Sequence, residues 1–156
     1  MITLLFGQPH SGKTTIAHSL QTRLFIEYGH HIPIIDGDEI RDIFKNKDFS
    51  KEGRLRNLQR ISDIATFLSH KYPHVIISAV YPYKEARDYL RGLNSNHVLM
   101  VELEYILERG RENFHVKDYE CEKSGVNYMK IDTDKFSVDE CTKKVFETIQ
   151  KLKNLY

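Results

Sequence analysis

Gly7-Gln-Pro-His-Ser-Gly-Lys-Thr14 constrains this chain more than any other stretch. It fits G-x-x-x-x-G-K-[ST], directly after the apolar run Ile2 to Phe6 and directly before a segment of helical period. The glycines let the backbone curl so that successive N–H groups point inward, and the following helix adds its positive end. The result is a nest for the β- and γ-phosphates of a nucleoside triphosphate. Lys13 neutralises charge on those oxygens, and the Thr14 hydroxyl is a ligand for Mg²⁺. Gly7, His10, Ser11, Gly12 and Thr15 complete the expected contacts with ATP, His10 through its backbone N–H.

The surroundings agree with a βαβ organisation. Short β-branched runs at Ile2 to Phe6, Ile32 to Ile35, Val75 to Val80, His97 to Leu103 and Tyr128 to Ile131 predict five strands. Thr14 to Tyr28 carries Ile16, Leu20 and Leu24 at spacing four, and Arg54 to Lys71 carries Leu58, Ile61, Ile64/Ala65 and Leu68 at three or four. Both read as amphipathic helices. Ser137-Val-Asp-Glu140 has the capping-box form, and Cys141, Val145, Ile149 and Leu152 then mark a closing helix. The expectation is an α/β, three-layer P-loop NTPase fold: a five-stranded parallel sheet with helices on both faces. With 156 residues, the chain is expected to form a single domain over 1–156. Within it, the charged stretch Arg109 to Val126 lacks apolar periodicity and reads as a mobile loop or lid.

Charge and composition remove several function classes. Lys plus Arg number 23 against 22 Asp plus Glu, without the basic excess that backbone binding to nucleic acid uses. No apolar run approaches the roughly 20 residues of a membrane span, and Met1 leads straight into the first strand without a leader-like segment. A soluble, cytoplasmic protein with a small-molecule nucleotide as partner is expected. Cys121 and Cys141 form no C-x-x-C and read as ordinary thiols, and no transition-metal site is expected.

A triphosphate site alone leaves a kinase, a GTPase switch, a motor and a regulatory sensor all open. The second run narrows the choice, because Ile32-Pro-Ile-Ile-Asp-Gly-Asp38 delivers two carboxylates to a strand's C-terminal end, where open α/β sheets bind ligands. Asp36 and Asp38 there suit a metal's water shell or the proton of an attacking hydroxyl. A plain D-G turn capping a helix is the competing reading. No N-K-x-D base-reading motif accompanies the loop, which disfavours a GTPase switch.

These and further residues resemble the adenylylsulfate kinase family. Asp36-Gly-Asp-Glu-Ile-Arg41 stands where that family has D-G-D-x-[IV]-R. Phe49-Ser50, Arg54, Asn57 and Arg60-Ile-Ser-Asp-Ile-Ala65 follow its G-F-S, Arg, Asn and R-I-x-[DE]-x-A pattern. Val75-Ile-Ile-Ser-Ala79, Pro82-Tyr-Lys-Glu-Ala-Arg87, Leu103-Glu104 through Glu108-Arg109, and Ile131-Asp-Thr-Asp134 continue the likeness. It implies ATP- and Mg²⁺-dependent phosphorylation of the ribose 3′-hydroxyl of adenylyl sulfate, a role in sulfate assimilation, and a homodimer. Arg41, Arg54 and Arg87 then offer planar forks to phosphate and sulfate oxygens. Asn57, Ser78 and Asp38 join them on the substrate side, and Phe49 and Phe114 match the family's adenine sandwich. Asp36 is expected to orient or deprotonate the 3′-hydroxyl and, with Thr14, to hold the metal. Arg109 resembles the lid arginine that closes over ATP.

Three departures bear on the acceptor. The family's basic K-K-A-R lid stretch is missing between Arg109 and Phe114, with Arg111, Lys117 and Lys123 as candidate substitutes. Tyr81 precedes Pro82 where phosphoserine-forming members carry Ser, so no phosphoserine intermediate is expected. Gly53 replaces an Asp, and Lys84 an Arg. The alternatives are therefore a 3′-hydroxyl kinase for another activated nucleotide such as cytidine diphosphoramidate, a nucleoside monophosphate kinase, or a non-catalytic nucleotide-binding module.

Overall fold

A computed structural model describes residues 1–110 and 112–155. Its sheet contains β1 (Ile2–Phe6), β2 (Ile34–Asp36), β3 (Val75–Ser78), β4 (Val98–Glu104) and β5 (Tyr128–Asp132). They run in the order β2-β3-β1-β4-β5, and every pairing is parallel. Burial on both faces explains why each run reads as continuous apolar sequence rather than alternation.

The pleat sends alternate side chains to two cores. Leu4, Phe6, Ile77 and Met100 face one side, packing against α3 (Lys51–Ser69), α4 (Lys84–Asn94) and Ile40 of the short α2 (Gly37–Ile43). Leu5, Ile76, Leu99 and Val101 face the other, against α1 (Lys13–Tyr28) and α5 (Val138–Lys153). This is the expected three-layer arrangement.

The element ends show what stops each one. Residues 32 and 33 lie outside β2 because Pro33 has no N–H to give a ladder and Gln21 Nε2 occupies the Ile32 carbonyl at 2.7 Å. At α5 the capping box is complete, with Glu140 N donating to Ser137 Oγ at 3.2 Å and Ser137 N to Glu140 Oε2 at 2.8 Å. Two helices, α2 and α4, went unread in the periodicity. Among the described residues between β4 and β5 there is one 3₁₀ turn, Glu112–Phe114, within otherwise irregular backbone. Among the described residues no helix is long and apolar enough to cross a membrane.

Candidate active site

β1 lies at the centre of the sheet, and the chain leaving its C-terminal end forms the phosphate loop. Gly7 starts that turn where a side chain has no room: a Cβ there would stand 2.2 Å from the Leu103 carbonyl oxygen. The N-cap of α1 is Gly12 in the left-handed region, at φ 92°, and no side chain caps the helix. Its first-turn N–H groups are thus left for an anion. Lys13 Nζ donates to Gln8 O at 2.8 Å and Ser11 Oγ at 3.3 Å, which folds the ammonium into the curl. Desolvation lowers its pKa to about 8, against the opposing pull of Asp38 and Asp36.

The neighbouring β2–α2 turn brings the two carboxylates to the same cleft. Asp36 uses its two oxygens differently: Oδ1 accepts the N–H groups of Asp38 at 2.9 Å and Glu39 at 3.4 Å, while Oδ2 accepts the Thr14 hydroxyl at 3.3 Å. The helix cap and the acidic site group are therefore the same residue. Ser78, paired with Asp36 in the β2–β3 register, sets its Oγ 3.3 Å from the Thr14 hydroxyl. Thr14 and Asp36 supply the hard oxygen donors that suit Mg²⁺.

From this corner a cleft of about 600 Å³ runs over the sheet edge, lined by His10, Lys13, Thr14, Asp36, Asp38, Arg41, Phe49, Arg54, Asn57, Ser78 and Phe114 among others. Gly12 and Thr15 also line it; Gly7 and Ser11 belong to the loop behind. Phe49 and Phe114 are 61% and 67% exposed, so neither ring is spent on core packing. Arg41 and Arg54 flank Phe49, their guanidinium carbons 4.4 and 5.6 Å from its centroid. Arg41 Nη1 also donates to the carbonyls of Asn46 and Asp48, and Arg54 Nε to that of Phe49. Asn57, 3% exposed, donates Nδ2 to Gly37 O at 3.3 Å, yet its buried Oδ1 has no partner. An orphan acceptor of this kind costs roughly 1–3 kcal/mol, and a ligand N–H or O–H would satisfy it.

Two expected site residues stand elsewhere. Arg87 is a correction: its side chain is fully buried beneath the cleft wall, 5.1 Å over the Phe6 ring, and its donors are taken by Tyr81 O, Glu120 O and Glu122 Oε2. It holds chain segments together and offers no fork to a substrate. Arg109 lies on the outer rim of the phosphate loop, donating to His10 O at 2.9 Å and to Thr133 Oγ1 at 3.0 Å. Its Nη2 also pairs with Asp134 Oδ1 at 2.6 Å. Asp134 is held down at about 2, chiefly by the N–H groups of Leu107 and Ile106 and then by Arg109. Of the candidate lid cations, Arg111 lies outside the described residues. Tyr81 is buried, with its hydroxyl 2.7 Å from Ser62 Oγ, and burial pushes its pKa up.

Leu58, Ile61, Tyr81 and Pro82 also line the cleft and were not anticipated. The helical spacing of Leu58 and Ile61 marked a buried face without saying that part of it borders a cavity.

Fold and cleft together define a P-loop kinase. The family model described as adenylylsulphate kinase matches residues 1–119, and the chain belongs to that family. An adenylyl-sulfate kinase of Rippkaea orientalis is 40% identical over 95 residues, 60% of this chain and 52% of its own length. The match thus spans about half the length of such relatives. A cytidine diphosphoramidate kinase of Campylobacter jejuni is 28% identical over 141 residues, 88% of this chain and 82% of its own. In fold, the chain resembles the Mycobacterium tuberculosis APS kinase CysC in complex with AMPPNP and APS, at a TM-score of 0.80 and 22% identity, with 96% of each chain covered.

Proposed function

We propose that this chain transfers the γ-phosphoryl group of ATP to the ribose 3′-hydroxyl of adenylyl sulfate, giving 3′-phosphoadenylyl sulfate and ADP. The supporting observation is that one cleft gathers the phosphate loop, the Asp36 and Asp38 carboxylates, Arg41 and Arg54, and the two exposed rings of Phe49 and Phe114. Lys13 and the loop amides grip the phosphates, so that catalysis is mainly positioning and charge stabilisation. Mg²⁺, held by Thr14 and Asp36, would neutralise charge between the β- and γ-phosphates. Asp36 and Asp38 receive the hydroxyl, one orienting it and taking its proton. Phe49 and Phe114 bracket the base, while Arg41, Arg54 and the free Asn57 oxygen meet the rest of the acceptor.

A second acceptor, cytidine diphosphoramidate, is favoured by one observation: the likeness to a kinase of that compound runs through 88% of this chain, past residue 119, where the adenylylsulphate kinase model stops. The missing basic lid stretch points the same way. An ADP-release assay with ATP and Mg²⁺ separates the readings, using adenylyl sulfate, cytidine diphosphoramidate and plain monophosphates, with the product's phosphate position read by NMR. A 3′-phosphate from adenylyl sulfate, lost in Lys13→Ala, is expected. A 3′-phosphate only from the cytidine compound reassigns the acceptor, and a nucleoside diphosphate from a monophosphate overturns the 3′-hydroxyl chemistry.

A further inference from the structure

Three consecutive residues on the outer wall of the phosphate loop are held by the irregular segment between β4 and β5. Tyr105 donates its hydroxyl to Pro9 O at 2.6 Å, and that hydroxyl lies 2.8 Å from His115 Nε2. Arg109 donates to His10 O. Gln8 does more, because it engages both main-chain polar groups of one residue. Its Nε2 donates to Val116 O at 3.0 Å, and its Oε1 accepts from Val116 N at 2.9 Å, in the manner of a strand partner.

Val116 is buried and stands two residues after Phe114, the ring exposed in the cleft. The backbone between them is tied back on itself, since His115 N closes the Glu112–Phe114 turn on Glu112 O at 3.0 Å. Further along, Glu120 N donates to Pro82 O and the Lys84 N–H to Glu120 Oε2, which pins the segment against the start of α4. The backbone on the C-terminal side of Phe114 is anchored twice, by His115 to the Tyr105 hydroxyl and by Val116 to Gln8, and Gln8 is the anchor that holds main-chain groups from within the phosphate loop itself. Phosphate binding gives the side chain at this loop position no duty of its own. Here, nevertheless, both amide atoms are committed to a residue 108 positions away.

We propose that Gln8 is a positioning residue for the acceptor: it couples the phosphate loop to the placement of Phe114, so that a bound triphosphate, by fixing residues 7 to 14, also sets the ring that meets the acceptor base. The consequence for the acceptor rests on the function proposed above. The coupling itself does not depend on which base is bound.

Gln8→Met, of nearly equal length and without hydrogen-bonding atoms, separates the two layers. Hydrogen exchange of the full chain is measured with and without Mg²⁺ and a non-hydrolysable ATP analogue. In the wild type the analogue is expected to slow exchange over residues 112–118 by about fivefold, a coupling on the order of 1 kcal/mol. In Gln8→Met this slowing should vanish while the analogue's Kd stays within about twofold. Equal protection of 112–118 in both proteins overturns the coupling. With the acceptor that the wild type turns over, Gln8→Met should raise KM about tenfold at little changed kcat, and should add nothing in a Phe114→Ala background. Additive effects in the double variant would show that Gln8 does not act through Phe114. If no acceptor is phosphorylated by the wild type, the proposed function fails while the exchange measurement still decides the coupling.

Discussion

At the scale of single residues, the entry to α3 shows how one departure from the family pattern is made good. Ser50 caps the helix, accepting the Gly53 N–H at 3.1 Å, but Gly53 has no carboxylate to return to the Ser50 N–H. Asp48 supplies it: its Oδ1 accepts Ser50 N at 2.9 Å and its Oδ2 pairs with Arg56 at 2.7 Å. Hydrogen bonds from Ser50, and then the charge of Arg56, hold its carboxyl below the usual range. A Cβ at Gly53 would stand 2.3 Å from Asp48 Cγ and 2.4 Å from the Asp48 carbonyl oxygen, so both the side chain and the backbone of Asp48 exclude one. Gly53→Asp alone is therefore expected to cost about 1–3 kcal/mol by overcrowding, and to raise acceptor KM by displacing the loop that carries Phe49. Adding Asp48→Gly removes the side-chain clash but leaves the one with the carbonyl oxygen, so most of the loss should persist, read by thermal unfolding and acceptor kinetics. A double variant restored to wild-type stability would show instead that the loop yields and the two carboxylates exchange roles.

At the scale of elements, Arg54 and Arg87 make the sharpest contrast. Both were candidate forks for the acceptor, and only Arg54 borders the cleft. Arg87 on α4 binds Glu120 O and Glu122 Oε2, while Glu102 of β4 accepts from Tyr119 and Tyr128 hydroxyls at 3.1 and 2.7 Å. Desolvation and then the Glu102 carboxylate push the Tyr119 hydroxyl's pKa up. This buried polar network fastens residues 119–122 across the sheet. Removing one side of such a buried ion pair costs roughly 3–5 kcal/mol, so Arg87→Ala should lower Tm by roughly 6–20 °C and leave acceptor KM close to wild type below that transition. Arg54→Ala should do the reverse, raising KM at nearly unchanged Tm. Swapped outcomes would return Arg87 to the substrate side.

The same pair shows what the sequence could reveal. Strands buried on both faces advertise themselves as apolar runs, and each observed strand overlaps the run that predicted it. The phosphate loop and the Asp36–Asp38 turn were legible because their chemistry depends on residues adjacent in sequence. α4 escaped because its buried stripe, Ala86, Arg87 and Leu90, contains a cation whose partners lie 33 and 35 residues on. No local pattern distinguishes that burial from a surface charge. Gln8 escaped for the same reason, since its role exists only through Val116.

At the scale of the whole molecule, the end of the sheet opposite the cleft carries its own constraint. His74 precedes β3, is 1% exposed, and stacks on Tyr28 and His30 at centroid distances of 5.3 and 6.2 Å. Lys153, at the end of α5, sits 3.5 Å over the Tyr28 ring, and the Met1 amine donates to Pro73 O at 2.8 Å. The ends of α1, β1, β3 and α5 thus meet around an imidazole whose two nitrogens have no partner. Desolvation, and then the charges of Lys153, the Met1 amine and His30, lower its pKa from 6.5 to about 3. The folded state therefore holds this ring neutral where the unfolded chain would protonate it. Stability from this site is full above pH 6.5 and falls as the pH drops from there towards 3, because the unfolded state binds the extra proton. Between pH 8 and pH 5.5 the loss should reach about 1.4 kcal/mol, equivalent to a Tm lower by roughly 3–6 °C. His74→Phe keeps a flat ring in the stack and removes the proton site, so its unfolding free energy should decline less over that range by the same amount. Parallel pH profiles for the two proteins would mean that the buried ring does not set the acid limit of the fold.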